Sequence, residues 1–255
     1  MKLERRALGN TGLEVPLLSL GTVKFGRNTG VKYPSGFELP SDKEIVRLLE
    51  IARDAGMNLI DTAPAYGTSE TRLGRLLPGS RDDWLICTKA GESFKEHRSG
   101  YDFSGTAIEA SVRQSLVNLR TDYLDMVLIH SDGADLDILN GTDAVESLTR
   151  LKDQGLIRLI GMSTKTVAGG LLALDSCDVL MVTCNLQEQS QLPVIHAAAD
   201  AGRGILVKKA LASGHADAAA SLAFVLDEPG VHSVIVGTIN PNHLQDNIAV
   251  AARAS

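Results

Sequence analysis

Cysteine is scarce, and its scarcity removes two classes of protein at the outset. The 255 residues include three, Cys87, Cys177 and Cys184. No two form a CxxC pair, and Cys87 and Cys184 sit inside apolar runs. They read as small buried hydrophobes in a reducing compartment, not as bridges or metal ligands. The six histidines are scattered, with no HxH or HExxH, and no metal site is expected. Basic charge is in deficit: 25 Lys and Arg stand against 31 Asp and Glu, a net charge of −6. No basic field therefore favours nucleic acid or an anionic membrane, although a local cationic site for a phosphorylated ligand stays open. No uncharged run approaches the ~20 residues of a membrane span. Met1-Lys2-Leu3-Glu4-Arg5-Arg6 lacks the apolar stretch of a secretion signal. A cytoplasmic protein is expected. A dinucleotide fingerprint is missing too: Gly21, Gly26 and Gly30 have the wrong spacing, and no GxGxxG stands between a strand and a helix.

What is present is a repeated unit. Short apolar runs cover residues 17–22, 58–62, 84–89, 125–130, 159–163, 179–184, 204–209 and 233–238. They are nearly continuous in Val, Ile, Leu and Met rather than alternating, the mark of parallel strands covered on both faces. Helix-like segments lie between them. Ser41-Asp42-Lys43-Glu44 and Thr106-Ala107-Ile108-Glu109 fit capping boxes, and Ile45, Leu48, Leu49 and Ala52 keep helical spacing. Pro241 suits a first helical turn. Gly56, Gly155 and Gly202 each end a helix shortly before the next strand, as left-handed C-caps do. Strand ends advance by about 31 residues per step, one βα unit each. Eight units use residues 1–255 as a single domain, so the fold expected is an α/β (β/α)8 TIM barrel. The segment Leu8-Gly9-Asn10-Thr11-Gly12-Leu13 carries hairpin-turn chemistry and is expected to close the barrel floor.

A barrel of this kind places its active site at the C-terminal strand ends. The longest connections there, 23–40, 90–105 and 131–142, should wall a substrate pocket, with Phe25, Tyr33, Phe37, Phe94 and Tyr101 as candidates to line it. Three of the apolar runs end in polar residues: the second in Asp61, the third in Lys89 and the fourth in His130. Tyr66 follows Asp61 by five residues. Singly, such an Asp is usually a cap, such a Lys a snorkelling strand end, and such a His or Tyr a packing residue. Together they bring four chemically active groups to one rim from consecutive units.

These residues resemble the aldo-keto reductase family. Asn58-Leu59-Ile60-Asp61-Thr62-Ala63-Pro64-Ala65-Tyr66-Gly67-Thr68-Ser69-Glu70 is similar to that family's signature, Cys87-Thr88-Lys89 to its lysine segment, and Leu119-Arg120-Thr121-Asp122-Tyr123-Leu124-Asp125, leading to Ile129-His130, to its histidine segment. The likeness continues through Gly161-Met162-Ser163 to Gly237 and Asn247. It implies hydride transfer between a nicotinamide cofactor and a small-molecule carbonyl or alcohol, with Tyr66 as proton donor and Lys89, Asp61 and His130 assisting. A free tyrosine titrates near 10, too high for an efficient proton shuttle near neutrality. Lys89 is expected to lower that value by favouring phenolate, Asp61 to orient Lys89, and His130 to hydrogen-bond the carbonyl oxygen.

The cofactor residues follow the family pattern less closely. The resemblance puts Thr22, Val23 and Asp61 beside the cofactor. It aligns Ser163-Thr164 with a Ser-Asn pair after strand five, Met181 with a glutamine in strand six, and Lys208 with an aromatic residue that stacks on the nicotinamide. Thr164 keeps a hydroxyl for the carboxamide. Leu211-Ala212-Ser213-Gly214 resembles the pyrophosphate loop, in which backbone amides and the Ser213 hydroxyl suit an anion. In many members a Lys and an Arg after strand eight clamp the 2′-phosphate; here Gly237 and His243 stand in those places. Thr238, the amides of a helix opened by Pro241, and His243 remain for the phosphate. Asp246 and Asn247 would meet the adenine. NADP(H) is the expected cofactor, with NADPH preferred over NADH less sharply than in Lys/Arg members, and NAD possible. Histidine as a residue type gains charge near pH 6.5, so that preference should sharpen at lower pH. Two other readings stay open: a nicotinamide-binding regulatory or interaction subunit with little turnover, and a Schiff-base aldolase using Lys89.

Overall fold

The computed structural model describes residues 2–253. Eight parallel strands close into a barrel: β1 Leu18–Gly21, β2 Leu59–Asp61, β3 Leu85–Ala90, β4 Leu124–His130, β5 Ile157–Ser163, β6 Val179–Thr183, β7 Gly204–Lys208 and β8 Ser233–Val236. Neighbours in sequence are neighbours in the sheet, and β8 pairs with β1 to complete the ring. All eight strands fall on the apolar runs. Those runs are continuous because each strand is covered on both faces: β4 is buried throughout except at His130. One face meets the interior. The other meets the ring of helices α1 Asp42–Asp54, α2 Ser69–Leu76, α3 Gly105–Leu119, α4 Ala144–Asp153, α5 Val167–Ala173, α6 Leu192–Asp200, α7 Ala218–Asp227 and α8 Pro241–Ala251.

The local signals act as physics requires. At the start of α1, Ser41 N donates to Glu44 Oε2 at 2.7 Å and Glu44 N donates back to Ser41 Oγ at 3.4 Å, a reciprocal cap. Gly56, Gly155 and Gly202 hold φ of +77°, +76° and +65°, conformations an L side chain resists. The second expected capping box does not form. Helix α3 starts earlier, capped by Ser104, whose Oγ accepts from Ala107 N at 3.4 Å. Gly105 N is taken by Asp143 Oδ1 at 2.6 Å, which pins this earlier start, and Glu109 pairs with Arg113 one turn on.

The N-terminal strands Arg5–Ala7 and Glu14–Pro16 form the expected antiparallel hairpin. Leu8 and Val15 are fully buried and pack with Leu59, Cys87, Met126, Leu128, Val179 and Leu206 inside the barrel, sealing its floor. Gly9 is required at the tip. Its φ is +53°, and a Cβ there would stand 2.5 Å from Gly202 O, the carbonyl that accepts from Asn10 N.

Two long connections are more ordered than loops. The one after β3 carries a hairpin, Glu92–Lys95 with Arg98–Tyr101, and the one after β4 carries a helix, Asp135–Gly141. Among the described residues no helix is long and apolar enough to cross a membrane.

Candidate active site

Side chains alternate between the two faces of a strand, and this alternation builds the site. Leu59, Cys87, Met126, Leu128, Leu159, Val179, Met181 and Leu206 point inward and form the interior core. Two residues further along their strands, the inward positions are Asp61, Lys89, His130, Thr183 and Lys208. The rim is thus the level at which inward residues change from apolar to polar. Strand pairing sets His130 beside Ser163, and Thr183 beside Lys208. Met181 stays in the interior cluster, opposite Ser163.

Asp61 and Lys89 form a buried pair. Lys89 Nζ donates to Asp61 Oδ1 at 2.5 Å and to Thr62 O at 2.9 Å, and the two residues are 4% and 2% exposed. Burial opposes the Lys89 charge, but Asp61 and Tyr66 outweigh it and hold the amine above the ordinary lysine range. Tyr66 ends a short turn, Pro64–Tyr66. The Lys89 ammonium lies 4.9 Å from its ring centroid. The His130 ring stands edge-on to it, with centroids 6.2 Å apart.

The rest of the signature fixes this turn in place. At Gly67 a Cβ would meet Gly26 O at 2.2 Å, so only glycine lets the Tyr66 loop lie against that segment. Thr22 Oγ1 donates to Asp61 O at 2.8 Å, Ser69 Oγ donates to Thr22 O at 3.0 Å, and Thr62 Oγ1 donates to Ser69 Oγ at 3.1 Å. Thr22 is therefore committed to holding the end of β2, and Val23 opens a short helix, Val23–Gly26, beside it. Buried Glu70 accepts from Thr88 Oγ1 at 2.7 Å.

Tyr66 departs from expectation. Burial raises its pKa, Lys89 lowers it and Asp61 raises it again, and the outcome is about 12, above that of free tyrosine. The lysine does favour phenolate, but desolvation and the neighbouring carboxylate win. Tyr66 accordingly keeps its proton across the neutral range.

Glu92 joins the site although no sequence pattern singles it out. It lies on the hairpin over the mouth, with Oε2 2.8 Å from His130 Nδ1. The carboxylate stands off the N–H line, so the contact is a close approach and not a formed hydrogen bond, and it is an ion pair only while the ring is protonated. Ser99 Oγ donates to Glu92 Oε1 at 2.6 Å, and Arg27 approaches to 3.8 Å. Burial alone would raise the Glu92 pKa, but His130, Ser99 and Arg27 hold it at about 2. Burial lowers the His130 pKa, Glu92 opposes that, and Lys89 and Lys208 add to it; the net direction is down.

The proposed pocket aromatics separate into groups. Phe25 is fully buried in the outer core and lines nothing. Tyr33 meets Phe37 edge-on at 5.6 Å, with Lys24 Nζ 3.9 Å above the Tyr33 ring. The Arg27 guanidinium stacks 3.4 Å over Phe94, and Tyr101 stacks on Phe103.

Across the barrel from Lys89, on β7, Lys208 Nζ donates to Ser163 Oγ at 2.7 Å and to Thr164 O at 2.9 Å. Thr164 Oγ1 is buried without a partner, although buried hydroxyls are normally paired. A cleft of about 370 Å³ adjoins, lined among others by Lys32, Thr183, Lys209, Ser213 and His215. Lys209, Ala212 and Ser213 have φ of +57°, +46° and +59°, and such strained runs cluster at binding sites. Leu211 packs its side chain on the core beneath them. Gly237 is open: a Cβ there would meet nothing closer than 3.5 Å, at Gly21 O and the Tyr33 hydroxyl. Thr238 Oγ1 accepts from Asn240 N at 3.1 Å. On α8, His243 and Asp246 are exposed, whereas Asn247 is 4% exposed.

An unpaired buried hydroxyl, a lysine-bordered cleft, left-handed backbone and an open glycine lie along one side of the mouth. Together they form a polar, cation-bordered cleft suited to an extended anionic ligand. The fold and this polar rim define a (β/α)8 barrel with a candidate active site at the C-terminal ends of its strands. The model described as the Aldo/keto reductase family matches residues 17–219, and the chain belongs to that family. A solved structure assigned to the aldo-keto reductases from Pseudomonas aeruginosa is 52% identical, with a TM-score of 0.91, over 98% of this chain and 94% of that one. Among curated relatives, L-galactose dehydrogenase of Arabidopsis thaliana is 29% identical over 226 residues, 84% of this chain and 67% of the relative. D-threo-aldose 1-dehydrogenase of a Pseudomonas species is 28% identical over 237 residues, 82% and 69% of the two chains. Two further relatives from Bacillus subtilis are matched over about half their length. The family generally uses nicotinamide cofactors and small-molecule carbonyl substrates.

Proposed function

We propose that this protein reduces an aldehyde or ketone to an alcohol, or runs the reverse reaction, with Tyr66 donating the proton to the carbonyl oxygen. The observation that carries this reading is Tyr66 itself: a neutral phenol at the barrel mouth, set between the Lys89 ammonium and the His130 ring. A bound nicotinamide supplies the hydride. Tyr66 holds the proton until negative charge grows on the substrate oxygen, and Lys89 then stabilises the phenolate left behind. Asp61 keeps Lys89 charged and aimed. A Schiff base at Lys89 would need an uncharged amine, which Asp61 opposes, so the aldolase reading loses ground. The complete set of four groups also favours turnover over a binding-only role. A screen of aldehydes, ketones and sugars with NADPH and NADH, followed at the nicotinamide absorbance band, tests the reading. No turnover with any of them would overturn it.

His130 is the group that contacts the carbonyl oxygen, and Glu92 acts through it as a positioning residue. A neutral ring donates from Nε2 only as the tautomer that turns an Nδ1 lone pair toward the Glu92 carboxylate, whereas the protonated ring donates from both nitrogens. Glu92 favours that form, whereas burial and the nearby lysines oppose it. Glu92→Gln should lower kcat for reduction by about 3–30-fold, within the range of general acid–base and orientation effects. It should also move the limb on which the rate falls with rising pH to lower pH. An unchanged pH–rate profile would reduce Glu92 to a hairpin strut.

For the cofactor, Ser163, Thr164 and Lys208 would meet the nicotinamide end, the turn at Leu211 and Ser213 the pyrophosphate, and Gly237, Thr238 and His243 the 2′-phosphate, with Asp246 and Asn247 at the adenine. A charge-assisted hydrogen bond is roughly twice as strong as a neutral one, and a Lys/Arg clamp is missing here. NADPH should therefore bind better than NADH by only about 5–30-fold, or ~1–2 kcal/mol. Dissociation constants for both cofactors at about pH 6 and pH 8 decide this; tighter NADH binding at both would show that no phosphate site exists.

A further inference from the structure

Lys208 is an amine without an acidic partner. Its Nζ is held by a hydroxyl and a carbonyl, Ser163 Oγ and Thr164 O, and among the described residues it makes no ion pair. The charges around it are mostly of its own sign. Lys209 follows it in sequence, Lys89 faces it from β3 and Lys165 from the loop after β5. His130 faces it from β4. The one carboxylate that favours its charge, Asp135 on the helix Asp135–Gly141, is already engaged by Lys165 N, Thr166 N and Thr166 Oγ1. In a chain of net charge −6, a half-buried amine kept among lysines calls for an explanation.

Its position supplies one. Strand pairing puts Ser163 directly beside His130, and Lys208 Nζ is 2.7 Å from Ser163 Oγ. A carbonyl accepting a proton from Tyr66 has to sit against Tyr66 and His130. A hydride donor must come within about 3.5 Å of that carbonyl carbon. With Ser163 beside His130, a donor ring on that side of the carbonyl would lie next to the Ser163–Thr164–Lys208 group. The oxidised nicotinamide ring carries a positive charge and the reduced ring carries none.

We propose that Lys208 sets a preference for the reduced over the oxidised cofactor, its ammonium repelling the cationic ring while leaving the neutral ring unopposed. The inference rests on the functional reading above and deepens it, because it biases the site toward carbonyl reduction and toward release of the spent cofactor. Attraction of Lys208 to the cofactor's phosphates is common to both redox forms, so the ratio of their affinities isolates the charge on the ring. Burial together with Lys209, Lys89 and Lys165 lowers the Lys208 pKa to about 7. The repulsion should therefore be present below pH 7 and fade above it.

The test is equilibrium binding of NADPH and NADP+ to the wild type, Lys208→Met and Lys208→Arg, by calorimetry at about pH 6 and pH 9. In the wild type, the ratio Kd(NADP+)/Kd(NADPH) should fall by about 10-fold from pH 6 to pH 9, the scale of one unit charge repelling another across a partly dry site. Lys208→Met should show the low ratio at both pH values and Lys208→Arg the high ratio at both. A wild-type ratio that is flat with pH and equal to that of Lys208→Met overturns the proposal. Should the methionine variant fail to fold, Lys208→Gln takes its place, and a wild-type ratio that is flat with pH and equal to that of Lys208→Gln does the same. If neither redox form binds at all, the functional reading itself fails, an outcome distinct from equal binding of both.

Discussion

Tyr66→Phe should reduce carbonyl turnover by about 10²–10⁴-fold, the usual contribution of a positioned general acid, and leave the fold and the NADPH dissociation constant nearly unchanged. The substitution removes one oxygen atom. It keeps the ring that Lys89 and His130 face and leaves the Asp61–Lys89 pair intact. Its effect should therefore fall on kcat, because the hydroxyl acts on charge that develops only in the transition state. Single-turnover rates on any substrate found in the carbonyl screen, with NADPH binding measured in parallel, check this. Turnover near the wild-type rate would sink the assignment of Tyr66 as proton donor. With Tyr66 at about 12, the wild-type profile should also show no alkaline loss traceable to this phenol below pH 10.

Much of this site is legible in the amino-acid sequence. Asp61, Lys89 and His130 stand out because each ends an apolar run, and a strand buried on both faces tolerates a polar residue only where it leaves the core. The signature around Tyr66 is recognisable as a string, but the reasons for its parts are not. Gly67 is required by Gly26 O, and Thr62 and Ser69 are links in a hydrogen-bond chain to Thr22. Asp125, in the segment leading to His130, serves the barrel wall instead of the site. It accepts from Arg81 Nη2 at 2.7 Å, Arg158 Nη1 at 3.1 Å and Ile86 N at 2.9 Å, fastening β3, β4 and β5 together.

Glu92 is not legible, for a physical reason. It sits on a half-exposed hairpin strand whose pattern names no burial face, and its partner His130 comes from the next βα unit. The direction of the Tyr66 shift escapes the sequence for a similar reason. A lysine can be read from a string of residues, but the desolvation opposing it depends on how the loops close over the mouth. Lys208 lies between these cases. Its place on β7 is readable, whereas its contacts with Ser163 and Thr164 and its crowd of lysines belong to three dimensions.

The second large effect is expected at Lys89, where structure and chemistry can be separated. Lys89→Met should abolish measurable reduction and also destabilise the protein. Removing one partner of a buried ion pair typically costs about 3–5 kcal/mol, because the other charge is left without compensation. Here the group left behind is Asp61, 4% exposed, and Thr62 O loses its donor as well. For a chain of this size the loss corresponds to a fall in Tm of about 6–20 °C. Loss of activity in this variant alone would therefore be ambiguous. The double variant Asp61→Asn, Lys89→Met resolves it. With the orphaned carboxylate replaced by a neutral amide, most of the lost Tm should return, since deleting both partners of a buried pair is often close to neutral. The rate should not return, because nothing then stabilises the Tyr66 phenolate. A double variant that regains turnover along with Tm would show that Lys89 supports the barrel and not the proton transfer. A single variant with wild-type Tm and rate would make it a solvated strand end.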